Sequence, residues 1–376
     1  MFEDINMAKT KNCCDGKIKE RLGKVGGQAV IEGVMMKAGD RTVTTCRKED
    51  GTIFVNDDSF ISIRKKIKFL NIPILRGIVN FIEMLILSFK TLGVSAEALD
   101  IDSEKDKEKK AKGKSTTTDI IMVVGMVLGI LLAVGLFIVL PGLCSDLVEF
   151  LCKKFGGFTL NETVKAIIEG VMKVIIFISY LLIVSIMPDI KRTFMYHGAE
   201  HKSIACFEAG AELTPENAEK YTRLHPRCGT SFMFVMIFIG ILVGVILNNL
   251  MPNANRLVLS LIRLAILPVI VGVGYEFIMF AGKHDNFLTR ALSAPGLWMQ
   301  KITTREPTRD MLEIAIISIK CALRDDFPEF KVFYELSGWI NDDPNGTDTA
   351  EESKNAESED NNAEDDSDSA SENGEK

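Results

Sequence analysis

The sequence predicts a mainly α protein: a polytopic membrane helix bundle with about four transmembrane helices, a small N-terminal cytoplasmic β unit and a disordered acidic tail. Three observations predict it. Hydrophobic residues make up 47% of the 376 while charged residues still reach 25%, which happens when long uncharged runs alternate with charged segments. Four apolar runs are each close to the ~20 residues that cross a ~30 Å hydrocarbon core. Charge is also segregated. From Asn341 to Lys376 the chain holds 14 acidic residues and two lysines, a net of −12 against a total of −7, so the rest carries +5.

In chain order, residues 1–24 read as a flexible polar start with no cleavable signal peptide. Residues 25–63 read as a small β unit. "RTVTTCR" and "TIFVN" are rich in β-formers, and Asp50–Gly51 between them is a hairpin turn signal. The preceding "GGQAVIEG" matches neither a dinucleotide fingerprint nor a P-loop and reads as a tight backbone turn. Residues 69–93 carry Pro73, Arg76, Glu83 and Lys90, too many charges for a good span, so an interfacial or re-entrant helix is expected. A charged linker follows at 94–118, lysine-rich over 103–114.

Residues 119–283 form the expected four-span domain. Its runs are Ile120–Leu140, Ile167–Met187, Phe232–Leu250 and Arg263–Ala281. A loop from Ser145 to Thr163 separates the first two, and a polar loop at 188–231 separates the middle pair. Residues 284–340 read as a cytoplasmic helical segment in which Met311–Leu323 is an ordinary amphipathic helix. The tail at 341–376 has almost no apolar residue to bury.

Lysine and arginine counts orient the bundle. They are dense before the first span, in the 188–231 loop and after the fourth span, and sparse in the other two loops. The positive-inside rule then places both termini and the 188–231 loop in the cytoplasm of a cell whose plasma membrane the chain crosses several times. The eight cysteines form no C-x-x-C pair and no disulfide framework. Cys144 and Cys152 are close enough in sequence to bridge if their loop faces an oxidising compartment. Nothing indicates nucleic-acid binding.

The chemistry-bearing residues concentrate in the 188–231 loop. "YHGAEHKSIACFEAG" places His197 and His201 four residues apart with Glu200 beside the second. On a helix the two imidazoles share a face and Glu200 is adjacent to it, the H-x-x-E-H pattern of some zinc peptidases. His225 and Cys228 follow in "HPRCG", an H-x-x-C spacing that suits local chelation. Glu276 sits inside the fourth span, where an ionisable group is costly unless paired or functional. His197, His201, His225 and Cys228 are therefore the candidate ligands of a divalent metal, zinc first among them, with His284 a possible extra ligand. Glu200 and Glu276 are candidate catalytic carboxylates, and Lys202 and Arg227 candidate anion binders. The bland alternatives are interfacial histidines without a metal, a packed Cys228, and a Glu276 paired with Arg263 or Lys173.

"GGQAVIEGVMMK", "PILRGIVNFIEML", "YHGAEHKSIACFE", "HPRCGTSFMF", "GYEFIMFAGK" and "APGLWMQKITTREPTRDMLEIAI" together resemble the YqhQ-like family of bacterial membrane proteins. The resemblance runs from about Lys24 to Leu323, and the "TTREP" run, Thr303–Pro307, belongs to its polar motifs. It implies a metal-dependent enzyme of the membrane. Three functions follow as expectations: a metal-dependent hydrolase acting on a lipid, a lipid-linked phosphate or a peptide at the bilayer; a scaffold with a structural zinc; or a small transporter using Glu169, Lys173 and Glu276.

Overall fold

The computed structural model describes residues 21, 23–99, 124, 127–252, 254–283 and 287–327. Most of the N-terminal start and the charged linker, all of the acidic tail, and His284 lie outside the described residues.

Strands β1 (Val25–Val30), β2 (Gly33–Ala38), β3 (Arg41–Arg47) and β4 (Ile53–Ser59) form one antiparallel sheet in chain order. Two-residue connections join the first three strands, with Glu32 at φ 50° and Gly39 at φ 60°, the left-handed conformations that tight hairpin turns demand. Asp50–Gly51 turns the third hairpin as expected, with Gly51 at φ 85°. "GGQAVIEG" is therefore a strand running into a turn rather than a turn throughout.

The sheet is covered on both faces. Val34, Met36, Val43 and Val55 pack on one side against helices α4 (Pro188–Glu208) and α8 (Arg309–Ala322). Val30, Met35 and Cys46 pack on the other against Leu87 of helix α1 (Leu75–Ala98). Ten of the 14 residues of α8 are buried, so it is a central helix rather than an ordinary amphipathic one. The sheet, α4 and a one-turn helix at Pro215–Ala218 enclose it, and Ser318 is satisfied by donating to the Val34 and Val43 carbonyls.

Among the described residues five helices, not the expected four, are long and apolar enough to cross a membrane: α1, α2 (Val127–Gly156), α3 (Glu162–Val184), α5 (Gly229–Leu250) and α6, whose spanning part is Leu257–Phe280 within Arg256–Lys283. The extra one is α1. Its charges argued against it in the sequence, but each has a partner: Arg76 pairs with Glu276, Glu83 accepts from Ser62 and Ile63, and Lys90 pairs with Asp58. Helix α2 also runs through part of the expected 145–163 loop, to Gly156, where Gly157 at φ 64° ends it. Cys144 and Cys152 stand two turns apart on that helix as free thiols, so the bridge considered from sequence is not formed.

The charges inside the bundle are paired. Glu169 meets both Lys173 and Arg263, and Arg263 donates to Asn248. Glu276 takes Arg76 as a two-pronged partner rather than Arg263 or Lys173. Helix α7 (Phe287–Thr303) lies against α5, closely enough that a Cβ on Gly296 would come within 2.8 Å of Ser231.

Candidate metal centre

Helix α4 starts with Pro188 at its first turn and Asp189 beside it, both suited to a helix N-terminus. From Tyr196 to Phe207 it runs through the interior between sheet, α8 and loop. Gly198 decides what lies beside its histidines. A Cβ there would stand 2.0 Å from the Arg305 carbonyl oxygen, so only glycine lets the 303–307 segment run along the helix. Arg305 N–H then donates to the Phe194 carbonyl at 2.8 Å.

That close approach brings the Thr303 carbonyl to 2.9 Å from His197 Nδ1. One turn on, His201 Nδ1 lies 2.6 Å from the Arg223 carbonyl. A carbonyl only accepts, so each Nδ1 carries the proton and donates, which leaves each Nε2 with a bare lone pair. Burial also pushes the His201 pKa down, with His197 and His225 adding to the effect and Cys228 opposing it. His201 is thereby held neutral, the form that ligates metals.

Cys228 lies beside the two imidazoles. His197 Nε2 is 3.3 Å from Cys228 Sγ, and the ligand atoms of His197, His201 and Cys228 all lie within 4.8 Å of one another. In a tetrahedral zinc site such atoms stand about 3.3–3.6 Å apart, so the three need only a small adjustment. Cys228 is the N-cap residue of α5, the end of a helix that favours negative charge. Its loop is held by Gln300, which is fully buried. Gln300 Nε2 donates to the His225 carbonyl at 2.8 Å and to Ser231 Oγ at 2.9 Å, while its Oε1 accepts from His225 N–H at 2.7 Å. Arg223, whose carbonyl orients His201, is itself tied to Thr304 and Glu306. Two imidazoles, each locked by an Nδ1–H to a carbonyl, and one thiol make a donor set that fits zinc.

The other sequence candidates are placed differently. His225 Nε2 faces Glu208 at 3.6 Å, although its ring remains 5.6 Å from that of His201. Arg227 pairs with the same Glu208, which also accepts from Gly23 N–H. Lys202 is buried, donating to the Glu219 carbonyl at 2.9 Å and pairing with Glu306 at 3.0 Å. Both expected anion binders therefore already hold carboxylates. Glu276, locked to Arg76, is not brought to the His/Cys group.

Glu200 is buried beside the cluster and presses against β1. A Cβ on Gly27 would meet its Cγ at 3.1 Å and the Met35 carbonyl at 2.7 Å. Its Oε2 has no hydrogen-bond partner, and burial pushes its pKa up to about 7, with His197 opposing. The glycine-rich "GGQAV" thus serves close approach to Glu200.

Gly198, Gln300, Glu208 and the Arg223 and Thr303 carbonyls were missed in the sequence. Gly198 lies inside H-G-A-E-H and Thr303 opens "TTREP", so both stood within recognised motifs. Glu208 closes "YHGAEHKSIACFE" and Gln300 lies within "APGLWMQKITTREPTRDMLEIAI", so both also stood within recognised motifs, with nothing local to single them out.

A family model described as "Protein of unknown function (DUF1385)" matches residues 72–325. The chain belongs to this family. It is also 37% identical over 307 residues to "Uncharacterized protein YqhQ" of Bacillus subtilis (strain 168), covering 80% of this chain and 92% of that one. No solved structure matches. The matched DUF1385 region contains the His/Cys group, α1 and all of α8, while β1–β4 lie ahead of it.

Proposed function

We propose that this DUF1385 protein is a multi-pass plasma-membrane protein in which His197, His201 and Cys228 hold a divalent metal, zinc, on the cytoplasmic side, and that it is a metal-dependent hydrolase working at the membrane surface. The observation that carries the reading is the grouping of His197, His201 and Cys228, whose ligand atoms lie within 4.8 Å of one another, with each imidazole fixed by a carbonyl at its Nδ1 and His197 Nε2 at 3.3 Å from the thiol sulfur. The lysine- and arginine-rich loops support the cytoplasmic orientation of both termini and of the cluster.

Zinc held by three protein side chains keeps a fourth position for water and lowers that water's pKa toward neutrality. The chain supplies the rest. The Thr303 and Arg223 carbonyls keep both imidazoles in the ligating tautomer. Glu200 offers a buried carboxyl with a spare oxygen one residue from His201, suited to take a proton as general base. Glu276 drops out of the catalytic set because Arg76 occupies it. The substrate class is a lipid, a lipid-linked phosphate or a peptide presented at the bilayer.

A second reading, a structural zinc in a scaffold protein, is favoured by the nearness of the His225 ring to His201. A fourth protein ligand would close the site. The intramembrane charges favour no transport reading, since Glu169 and Glu276 each hold cationic partners.

The test is metal analysis of detergent-purified protein together with cobalt(II) spectra. Stoichiometric metal lost in His197→Ala and Cys228→Ser, but kept in Glu200→Gln with loss of the cellular phenotype, supports the hydrolase. Metal lost in His225→Ala as well, with Glu200→Gln behaving as wild type, supports the structural site. Metal-free protein after anaerobic purification overturns both.

A further inference from the structure

Residues 60–74, between β4 and α1, run back alongside the helix they lead into. Ser62 Oγ donates to the Glu83 carboxylate at 2.8 and 3.0 Å, Ile63 N–H to the same carboxylate at 2.7 Å, and Arg64 Nη2 to Asn80 Oδ1 at 3.3 Å. The chain reverses at Ile72–Pro73–Ile74, where Ile74 takes φ 68°. The result is a hairpin with one arm at 60–72 and the other in α1.

The tip of the hairpin is wedged into α6. A Cβ on Gly272 would come within 2.6 Å of the Ile74 carbonyl oxygen, and one on Gly77 within 2.7 Å of Tyr275 Cβ. Arg76 grips Glu276 beside them. Glu276 stands seven residues before Lys283, about 10 Å inside the end of α6 at 1.5 Å per residue. The far half of α1 is instead bound to the sheet. Gln28 donates to Thr91 at 2.6 Å, Lys90 pairs with Asp58, and Leu87 is buried with Val30 and Met35. The tip therefore lies within the bilayer, while the mouth lies at the sheet, on the side of the His/Cys group.

The surface of the hairpin matches that placement. Ile63, Ile67 and Phe69 on one arm and Ile82, Ile86 and Phe89 on the other are exposed. Between Asp58 and Glu83 there is no acidic residue, yet Arg64, Lys65, Lys66 and Lys68 fall together. Arg64 is engaged with Ser62 and Asn80, and Lys65 with Asp40. Lys66 and Lys68 are exposed and make no ion pair among the described residues. They sit on the arm between its mouth and its tip, where lysine stems reach along apolar surface to the headgroup level.

We infer that residues 60–98 form a re-entrant hairpin that dips into one leaflet from the sheet side without crossing, and that Lys66 and Lys68 on its rim bind the phosphate headgroups of anionic phospholipids in that leaflet. Apolar side chains fix the depth of the arm and the lysines supply the charge complementarity, with each basic residue near such a surface worth roughly a fivefold change in affinity. The inference does not depend on a metal at the His/Cys group.

Native mass spectrometry of the full-length protein with added phosphatidylglycerol or phosphatidylcholine tests it. The wild type should retain phosphatidylglycerol preferentially. Lys66→Gln/Lys68→Gln should lower that preference by more than about tenfold, and Lys153→Gln/Lys154→Gln, on α2 away from the hairpin, should leave it intact. Equal retention of both lipids by the wild type, or a preference unchanged in the Lys66/Lys68 variant, overturns the lipid site. Re-entry has its own check. Asn71→Cys, with Cys144 and Cys152 replaced by serine, should stay unlabelled by a membrane-impermeant maleimide added on the face opposite the sheet. Labelling there means that the hairpin crosses the bilayer.

Discussion

His197 Nε2 lies 3.3 Å from Cys228 Sγ, although 31 residues separate the two in sequence. His197 belongs to α4 and Cys228 caps α5, so this contact joins the loop that follows one membrane-length helix to the start of the next. Its partners at one remove suggest where the centre is most sensitive.

Gln300→Ala should weaken metal binding without removing a ligand. The side chain makes three hydrogen bonds that hold the His225–Ser231 segment. Groups that orient ligands without themselves binding the metal typically account for about 10–100-fold in metal affinity. Chelator competition on purified protein measures the change, and an affinity equal to wild type would show that the Cys228 loop is held by other means.

Gly198→Ala should unfold the contact that places Thr303. A methyl cannot fit 2.0 Å from a carbonyl oxygen, so 303–307 must move away from α4. Overpacking of this kind costs about 1–3 kcal/mol. A fall in the melting temperature should accompany metal loss, because the same movement removes the acceptor for His197 Nδ1. A variant with wild-type melting and metal content would contradict this.

Glu169→Gln should destabilise the bundle more than a surface change does. It leaves Arg263 and Lys173 facing one another without their shared carboxylate. Breaking a buried pair by removing one partner costs about 3–5 kcal/mol. Thermal unfolding in detergent reads the effect, and Glu169→Gln/Arg263→Met should recover part of it.

The buried thiols should resist alkylation across the usual pH range. Burial pushes Cys46 and Cys321 up to about 12 and Cys206 up to about 11. The thiolate is the nucleophile, and a raised pKa keeps the neutral thiol dominant until the pH approaches those values. Raising the pH from 8 to 9 in the folded protein should therefore leave these three unlabelled, and denaturant should expose them. If zinc binds as proposed, Cys228 should be labelled in chelator-treated protein and protected when zinc is restored, with peptide mapping separating it from the others.

Much of the architecture was legible in local pattern. The spans Ile167–Met187 and Phe232–Leu250 appear as α3 and α5 within a few residues, because a run without charge has one low-cost environment. The β unit was legible from β-branched residues and Asp50–Gly51. Helix α1 was counted out of the membrane-length set because Arg76, Glu83 and Lys90 looked unpaired. Their partners Glu276, Ser62 and Asp58 come from three other segments, and no window of sequence contains them. The depth of α8 was hidden for the same reason: the sheet, α4 and the one-turn helix that enclose its apolar residues lie far away in the chain.

By itself the sequence determined the residue types that chemistry requires: two histidines one helical turn apart with a carboxylate beside them, a cysteine at a helix start, and apolar runs of membrane length. These follow from helix periodicity and from the cost of burying charge, both local properties. Tertiary structure decided which of the candidates meet. It turned His225 and Arg227 to Glu208, gave Lys202 to Glu306 and Glu276 to Arg76, and left His197, His201 and Cys228 converging with their Nδ1 protons fixed by the Thr303 and Arg223 carbonyls. The physical reason is that a buried charge or lone pair takes the partner that packing delivers, and backbone carbonyls, which every residue carries, leave no mark in the sequence.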